Sequence, residues 1–242
     1  MPFLTLKPAS MKFSLSLAGL LLMCCCVKSQ QFLPMECNRV SYQEMASLPS
    51  DTIKPALIVY LHSKSGSGND NKAQLEQAAV GEIKKYIKKH NLSVYFLVPQ
   101  CPIDHEWVGR GSSQGYTEQI EELIKTYLNS KTIDTKRIYL CGASMGACGV
   151  WRLLKNSPDL FTAALIASGQ AVRAYPSDYT NIPLYVTAGT KEKSYDTLKR
   201  FTSEINKVGG NVQFEELPNL NHREACDKAF TAQRLAWLFS HK

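Results

Sequence analysis

The segment Gly142-Ala143-Ser144-Met145-Gly146 places a serine between two glycines in the pattern G-x-S-x-G. It directly follows Arg137–Cys141, a run of strand-forming residues, and directly precedes a stretch with helical spacing that ends near Leu154. A strand, a tight turn and a helix in that order lift the middle residue above the end of a sheet, with its hydroxyl at the positive end of the following helix. The pattern also occurs at Gly111-Ser112-Ser113-Gln114-Gly115, but there it follows the polar stretch Asp104-His105-Glu106 and reads as a loop entering a helix near Thr117. Context selects Ser144 as the candidate nucleophile.

A serine hydroxyl attacks poorly until a base takes its proton. Of the five histidines, His90 ends a lysine-rich helix and His241 is the penultimate residue. The order that accompanies this kind of turn in α/β-hydrolases is serine, acid, histidine. His62 and His105 precede Ser144, whereas His222 lies in the loop Asn219–His222, between the last predicted strand and the C-terminal helix. The acid must follow a strand between Ser144 and His222 and hold the imidazole in its working tautomer. Glu192, just past the run Leu184–Thr187, is the first choice; Asp196, a turn later, is the alternative, and Asp178 precedes the strand.

Attack on a carbonyl builds an oxyanion that needs backbone N–H donors already in place. Met145, next after the nucleophile, supplies one, and the Lys64 amide in the loop His62-Ser63-Lys64-Ser65-Gly66-Ser67-Gly68 is the expected second. That loop lacks G-x-x-x-x-G-K-[ST], so it does not read as a phosphate cradle. No cysteine and histidine cluster has metal-ligand spacing, and no cofactor is expected.

These residues need a frame. Apolar runs recur at Ala56–Leu61, Val94–Val98, Arg137–Cys141, Ala163–Ala167, Leu184–Thr187 and Val212–Leu217. Between them, helical spacing marks Leu75–His90, Ile120–Leu128, Met145–Leu154 and Thr197–Val208, with a last helix at Glu224–Phe239. Continuous apolar strands alternating with helices predict an α/β fold, with a mainly parallel central sheet and helices on both faces.

The chain resembles the α/β-hydrolase superfamily, and within it the secreted esterase and phospholipase–carboxylesterase-like group related to polyhydroxybutyrate depolymerases and feruloyl esterases. The resemblance rests on four segments: Leu61-His62 through Gly68-Asn69-Asp70-Asn71, Pro99-Gln100-Cys101-Pro102 with Trp107, Gly142–Gly146 with Trp151 and Pro158-Asp159-Leu160-Phe161, and Asn221-His222 before Asp227-Lys228-Ala229-Phe230. It implies Ser144 as nucleophile, His222 as base, the Glu192 position as acid, and Trp107 beside the substrate pocket. Three positions depart from the group: Ser63 and Ser65 in His62-Ser63-Lys64-Ser65 stand where relatives carry the glycines of H-G-x-G, and Glu192 where they carry Asp. The expected activity is cleavage of carboxylic esters, small-molecule or polysaccharide-linked. A peptidase of the same scaffold and a non-catalytic binding protein are the alternatives.

Composition agrees with a folded enzyme. Of 242 residues, 44% are hydrophobic and 20% charged, too apolar for disorder. The 28 Lys and Arg against 21 Asp and Glu are a mild excess, and three of the lysines fall within the first 29 residues. No basic run marks a nucleic-acid partner. Lys7 and Lys12 precede the uncharged run Phe13–Val27, too short to span a bilayer, so residues 1–29 read as a signal peptide and 30–242 as one domain. Secretion or periplasmic export is the expectation, with lipid attachment at Cys24, Cys25 or Cys26 as the alternative. Five cysteines then remain, spread too widely for a disulfide framework. The mature secreted chain is expected to begin at Gln30; an intact mass that starts upstream of Cys24 overturns the export reading.

Overall fold

The computed structural model describes residues 30–109 and 115–242. The expected signal peptide with its three cysteines, and most of the second G-x-S-x-G segment, lie outside the described residues.

Eight strands form one sheet: β1 (Leu33–Cys37), β2 (Val40–Ser47), β3 (Ala56–Leu61), β4 (Val94–Pro99), β5 (Ile138–Ala143), β6 (Ala163–Ala167), β7 (Pro183–Gly189) and β8 (Asn211–Leu217). Their order across the sheet is β1-β2-β4-β3-β5-β6-β7-β8. From β4 through β8 every neighbouring pair is parallel, while β1 and β2 run antiparallel at one edge. All six strands expected from apolar runs are present.

The β1–β2 hairpin carries no apolar run. Its turn uses Asn38 and Arg39, both at positive φ, the backbone of a tight two-residue hairpin in which glycine ordinarily takes the second place. Strand β2 buries Gln43 and Glu44. The Gln43 amide donates to the Asn71 carbonyl and the Glu44 carboxylate accepts from the Tyr127 hydroxyl, so polar partners replace the apolar signal of a buried strand.

Among the described residues six helices cover the two faces: α1 (Ala78–Lys89), α2 (Thr117–Ser130), α3 (Met145–Asn156), α4 (Tyr195–Lys207), α5 (His222–Lys228) and α6 (Ala232–Ser240). Alternate strand residues point to opposite faces. Leu57, Val59 and Leu61 meet α2, α3 and α4 in one core, while Ile58 and Tyr60 meet α1 and α6 in the other.

The single C-terminal helix expected over Glu224–Phe239 is two helices. Thr231 caps the start of α6 through its hydroxyl. The Arg234 guanidinium turns back to the Lys228 and Ala229 carbonyls at the end of α5, 2.9 Å from each. It also forms a forked pair with Glu215 on β8 at 2.7 Å for both bonds. Buried Arg234 thus satisfies carbonyls that a helix end leaves without partners. Arg234→Ala is expected to cost roughly 2–4 kcal/mol, seen as a fall of about 5–15 °C in Tm by thermal unfolding.

Candidate active site

The turn at Ser144 is held open by two glycines. Ser144 has φ 54° and ψ −116°, a conformation that costs a side-chain-bearing residue energy unless its surroundings enforce it. A Cβ on Gly146 would lie 1.9 Å from the Leu61 carbonyl oxygen, and one on Gly142 would lie 2.6 Å from the Gly146 carbonyl oxygen. Helix α3 therefore starts against the end of β3, and Ser144 stands at its N-terminus.

Ser144 Oγ lies 2.8 Å from His222 Nε2. His222 Nδ1 lies 2.6 Å from Glu192 Oε2. An ionised carboxylate can only accept, so Nδ1 carries the proton, and Nε2 is left to accept from the serine hydroxyl. The other carboxylate oxygen, Oε1, accepts from the Ser168 hydroxyl and from the Gly189 amide, each at 2.6 Å. The Glu192 side chain is almost fully buried, while half of the His222 side chain is exposed.

These contacts set the ionisation of the pair. Burial pushes the Glu192 carboxyl up, but the bonds from His222, Ser168 and Gly189 outweigh it and hold it below its ordinary value. The bond to Glu192 raises His222 above its ordinary 6.5, against the opposing effect of burial.

Position follows from the loops. The Thr190 and Lys191 amides bond to the Leu217 and Leu220 carbonyls, which joins the turn after β7 to the one after β8. Asn221 and Glu224 exchange side-chain and backbone bonds in a capping box that starts α5 at His222.

Glu192 reaches back across its own turn to the Gly189 amide with one carboxylate oxygen and faces His222 with the other. Asp196 is exposed in the first turn of α4, and Asp178 binds the Tyr175 amide and Lys155. Neither contacts His222. Ser168, absent from the sequence reading, has φ 55° and stands one residue beyond β6. That place at a strand end was its only signal.

The loop after β3 has a shape of its own. Ser63 has φ −70° and Lys64–Gly66 form one 3₁₀ turn, so neither Ser63 nor Ser65 needs a glycine's conformational freedom. Buried His62 accepts the Cys101 amide at Nε2 and donates from Nδ1 to the Ser63 carbonyl. Burial drives its pKa down to about 4 despite the Ser63 bond, with the Lys64 charge adding to the fall, so it is a neutral structural group. The Lys64 ammonium bonds to the Ile103 and His105 carbonyls. Neither the Lys64 nor the Met145 amide donates a hydrogen bond to another described residue.

Trp107 borders neither of the two clefts that meet at Ser144. Its indole is fully buried and donates to the His62 carbonyl at 2.9 Å, so it supports the loop from beneath. Its chain neighbour Glu106 borders one of those clefts, while the ring itself, with a buried partner for its N–H, belongs to the core.

Ser144 and His222 sit between two open clefts. One, of about 450 Å³, is bordered by Ser63, Ser65, Gln77, Arg223 and Asp227. The other, of about 480 Å³, is bordered by Met145, Cys148, Ser168, Gly169 and Val172. Lys64 borders both. Among the described residues no group of His, Cys, Asp or Glu is placed to hold a metal ion, no helix is long and apolar enough to cross a membrane, and no two cysteines form a disulfide.

No family model and no curated protein matches the sequence. Solved structures do match. A thermostable esterase superposes with a TM-score of 0.75 at 22% identity over 87% of this chain, which spans 62% of that esterase's length. The fold is that of the α/β-hydrolases. The S-formylglutathione hydrolase FrmB from Staphylococcus aureus matches with a TM-score of 0.66 at 16% identity, covering 87% of this chain and 98% of its own. A ferulic acid esterase matches with a TM-score of 0.66 at 14% identity, covering 87% and 97%.

A neutral His222 can accept a proton from Ser144 and a charged one cannot, so for a reaction begun at Ser144 the raised pKa of His222 would set an acid limb. The midpoint of that limb in kcat/KM is expected above pH 6.5. Glu192→Gln should lower the plateau and move the midpoint downward, since the group that raises it is gone. A pH–rate profile of both proteins checks this; an unmoved limb would sink it. The linked stability has a defined sign: the His222 part is present below pH 6.5 and lost as pH rises through its raised value. The Glu192 part is present above its ordinary 4.5 and lost as pH falls through its lowered value.

Proposed function

We propose that this chain is a serine hydrolase of carboxylic esters that works through an acyl-enzyme on Ser144. The supporting observation is the continuous relay from Ser144 Oγ to His222 Nε2 at 2.8 Å and from His222 Nδ1 to Glu192 Oε2 at 2.6 Å. Lys64 borders the same clefts as Ser144, and the esterases among the structural neighbours agree with the reading.

In the first half-reaction His222 Nε2 takes the Ser144 proton as Oγ attacks the ester carbonyl carbon. The carbonyl oxygen becomes an oxyanion held by the Lys64 and Met145 amides, the latter at the positive end of α3. His222, now charged, is stabilised by Glu192, which keeps its own charge. The tetrahedral species collapses as the Nε2 proton passes to the leaving alcohol, and the acyl group stays on Ser144. Water then gives its proton to Nε2 and attacks the acyl carbon. Release of the acid returns the proton to Ser144. Ser168 and the Gly189 amide hold Glu192 throughout.

The same reading makes the chain an exported enzyme acting on small-molecule or polysaccharide-linked esters. The two clefts are open and of modest volume, about 450 and 480 Å³, which suits short acyl groups.

Ser144→Ala is expected to lower kcat on p-nitrophenyl acetate by about 10⁴-fold or more, because the three side chains act as a unit. It should also abolish labelling by a fluorophosphonate. Esters should be cleaved far faster than dipeptide amides in the same assay. Unchanged ester cleavage by Ser144→Ala would end this reading.

A further inference from the structure

The oxyanion amide of Lys64 belongs to a loop with serines in place of glycines, and one side chain from outside the loop holds both of them. Gln77 Oε1 accepts from the Ser63 hydroxyl at 2.7 Å and from the Ser63 amide at 3.3 Å. Gln77 Nε2 donates to Ser65 Oγ at 3.0 Å, and Ser65 Oγ lies 3.0 Å from Ser63 Oγ. The protons close into a cycle: Ser63 donates to Gln77, Gln77 to Ser65, and Ser65 to Ser63. The amide cannot be turned over, because Nε2 would then face the Ser63 N–H, donor against donor.

Gln77 occupies the N-cap of α1, where a short oxygen-bearing side chain ordinarily caps the helix. It makes no such cap; its side chain leaves the helix and reaches 14 residues back to the loop. The Lys64 N–H belongs to the peptide between Ser63 and Lys64, so its direction depends on the Ser63 backbone. One oxygen of Gln77 grips that residue by both its amide and its hydroxyl. Gly66, on the far side of Lys64, is bounded by His62, 2.7 Å from where a Cβ would lie.

We propose that Gln77 is a positioning residue for the oxyanion hole: through Ser63 and Ser65 it aims the Lys64 amide at the reacting carbonyl oxygen. This rests on the reading of Ser144 as the nucleophile. Gln77 does not touch the reacting atoms; it does for a serine-bearing loop what the backbone of H-G-x-G achieves without side chains.

The test uses the purified full chain with Gln77→Met, Ser63→Ala and the double variant. Kinetics on p-nitrophenyl acetate are measured alongside thermal unfolding and inhibition by an alkyl trifluoromethyl ketone, whose serine adduct carries an oxyanion. Gln77→Met is expected to lower kcat about 10- to 100-fold with KM within about twofold, and to weaken the ketone by a similar factor. The double variant should be no more than about twofold worse than the poorer single variant, since both remove one clamp. A folded Gln77→Met with kcat within about twofold of the parent, a loss confined to KM, or multiplying losses in the double variant overturns the proposal. Should Gln77→Met fail to fold, Ser63→Ala decides: a fall in kcat matched by weaker ketone binding supports it, and parental values overturn it. An inactive Ser144→Ala beside a parental Gln77→Met defeats this inference alone, whereas an active Ser144→Ala defeats the reading beneath it.

Discussion

The approach of Gly146 to the end of β3 governs this site. No side chain fits between that glycine and the Leu61 carbonyl, so two backbones, and not two flexible side chains, set the spacing between the Ser144 turn and the loop that begins at His62. A turn with positive φ at Ser144 is unfavourable alone. It persists because the register of β3 against β5, with Leu61 opposite Gly142, leaves α3 no other place to start. The proposed nucleophile and the proposed oxyanion donors are thereby parts of one rigid joint.

The remaining groups arrive by the same geometry. Parallel strands end at one edge of the sheet, and ligands bind there in open α/β folds. Lys64 follows β3, Ser144 follows β5, Ser168 follows β6, Glu192 follows β7 and His222 follows β8. Five consecutive neighbours in the sheet each contribute one loop. Residues up to 158 positions apart in sequence meet because adjacent strands bring their ends within side-chain reach of one another. Glu192, gripped by three donors in a buried place, keeps its charge, and that charge keeps His222 oriented and more basic than usual.

Legibility followed the physics of each element. The strands β3 to β7 declared themselves because burial on both faces demands continuous apolar residues, and β8, at the sheet edge, by its alternation of Val212, Phe214 and polar neighbours. The β1–β2 hairpin stayed hidden because β2 buries Gln43 and Glu44 against polar partners and its turn lacks glycine. The break between α5 and α6 depends on Arg234 reaching a strand and two carbonyls, a long-range arrangement that helical periodicity does not register. An aromatic ring near a site, such as Trp107, serves equally as a wall or as a foundation in a sequence, and it is the bond to the His62 carbonyl that ties its indole into the core.

Sequence alone determined the local events: the small residues that permit the Ser144 turn, the alternation of strand and helix, and the order serine, acid, histidine along the chain. These rest on steric limits and hydrophobic periodicity, which act over a few residues. Tertiary structure decided which carboxylate faces His222, that Ser168 and Gly189 support it, and that Gln77 closes a hydrogen-bonded ring with two serines. Those outcomes depend on the directions in which side chains leave different strands and helices, and directions exist only once the sheet has its twist and register.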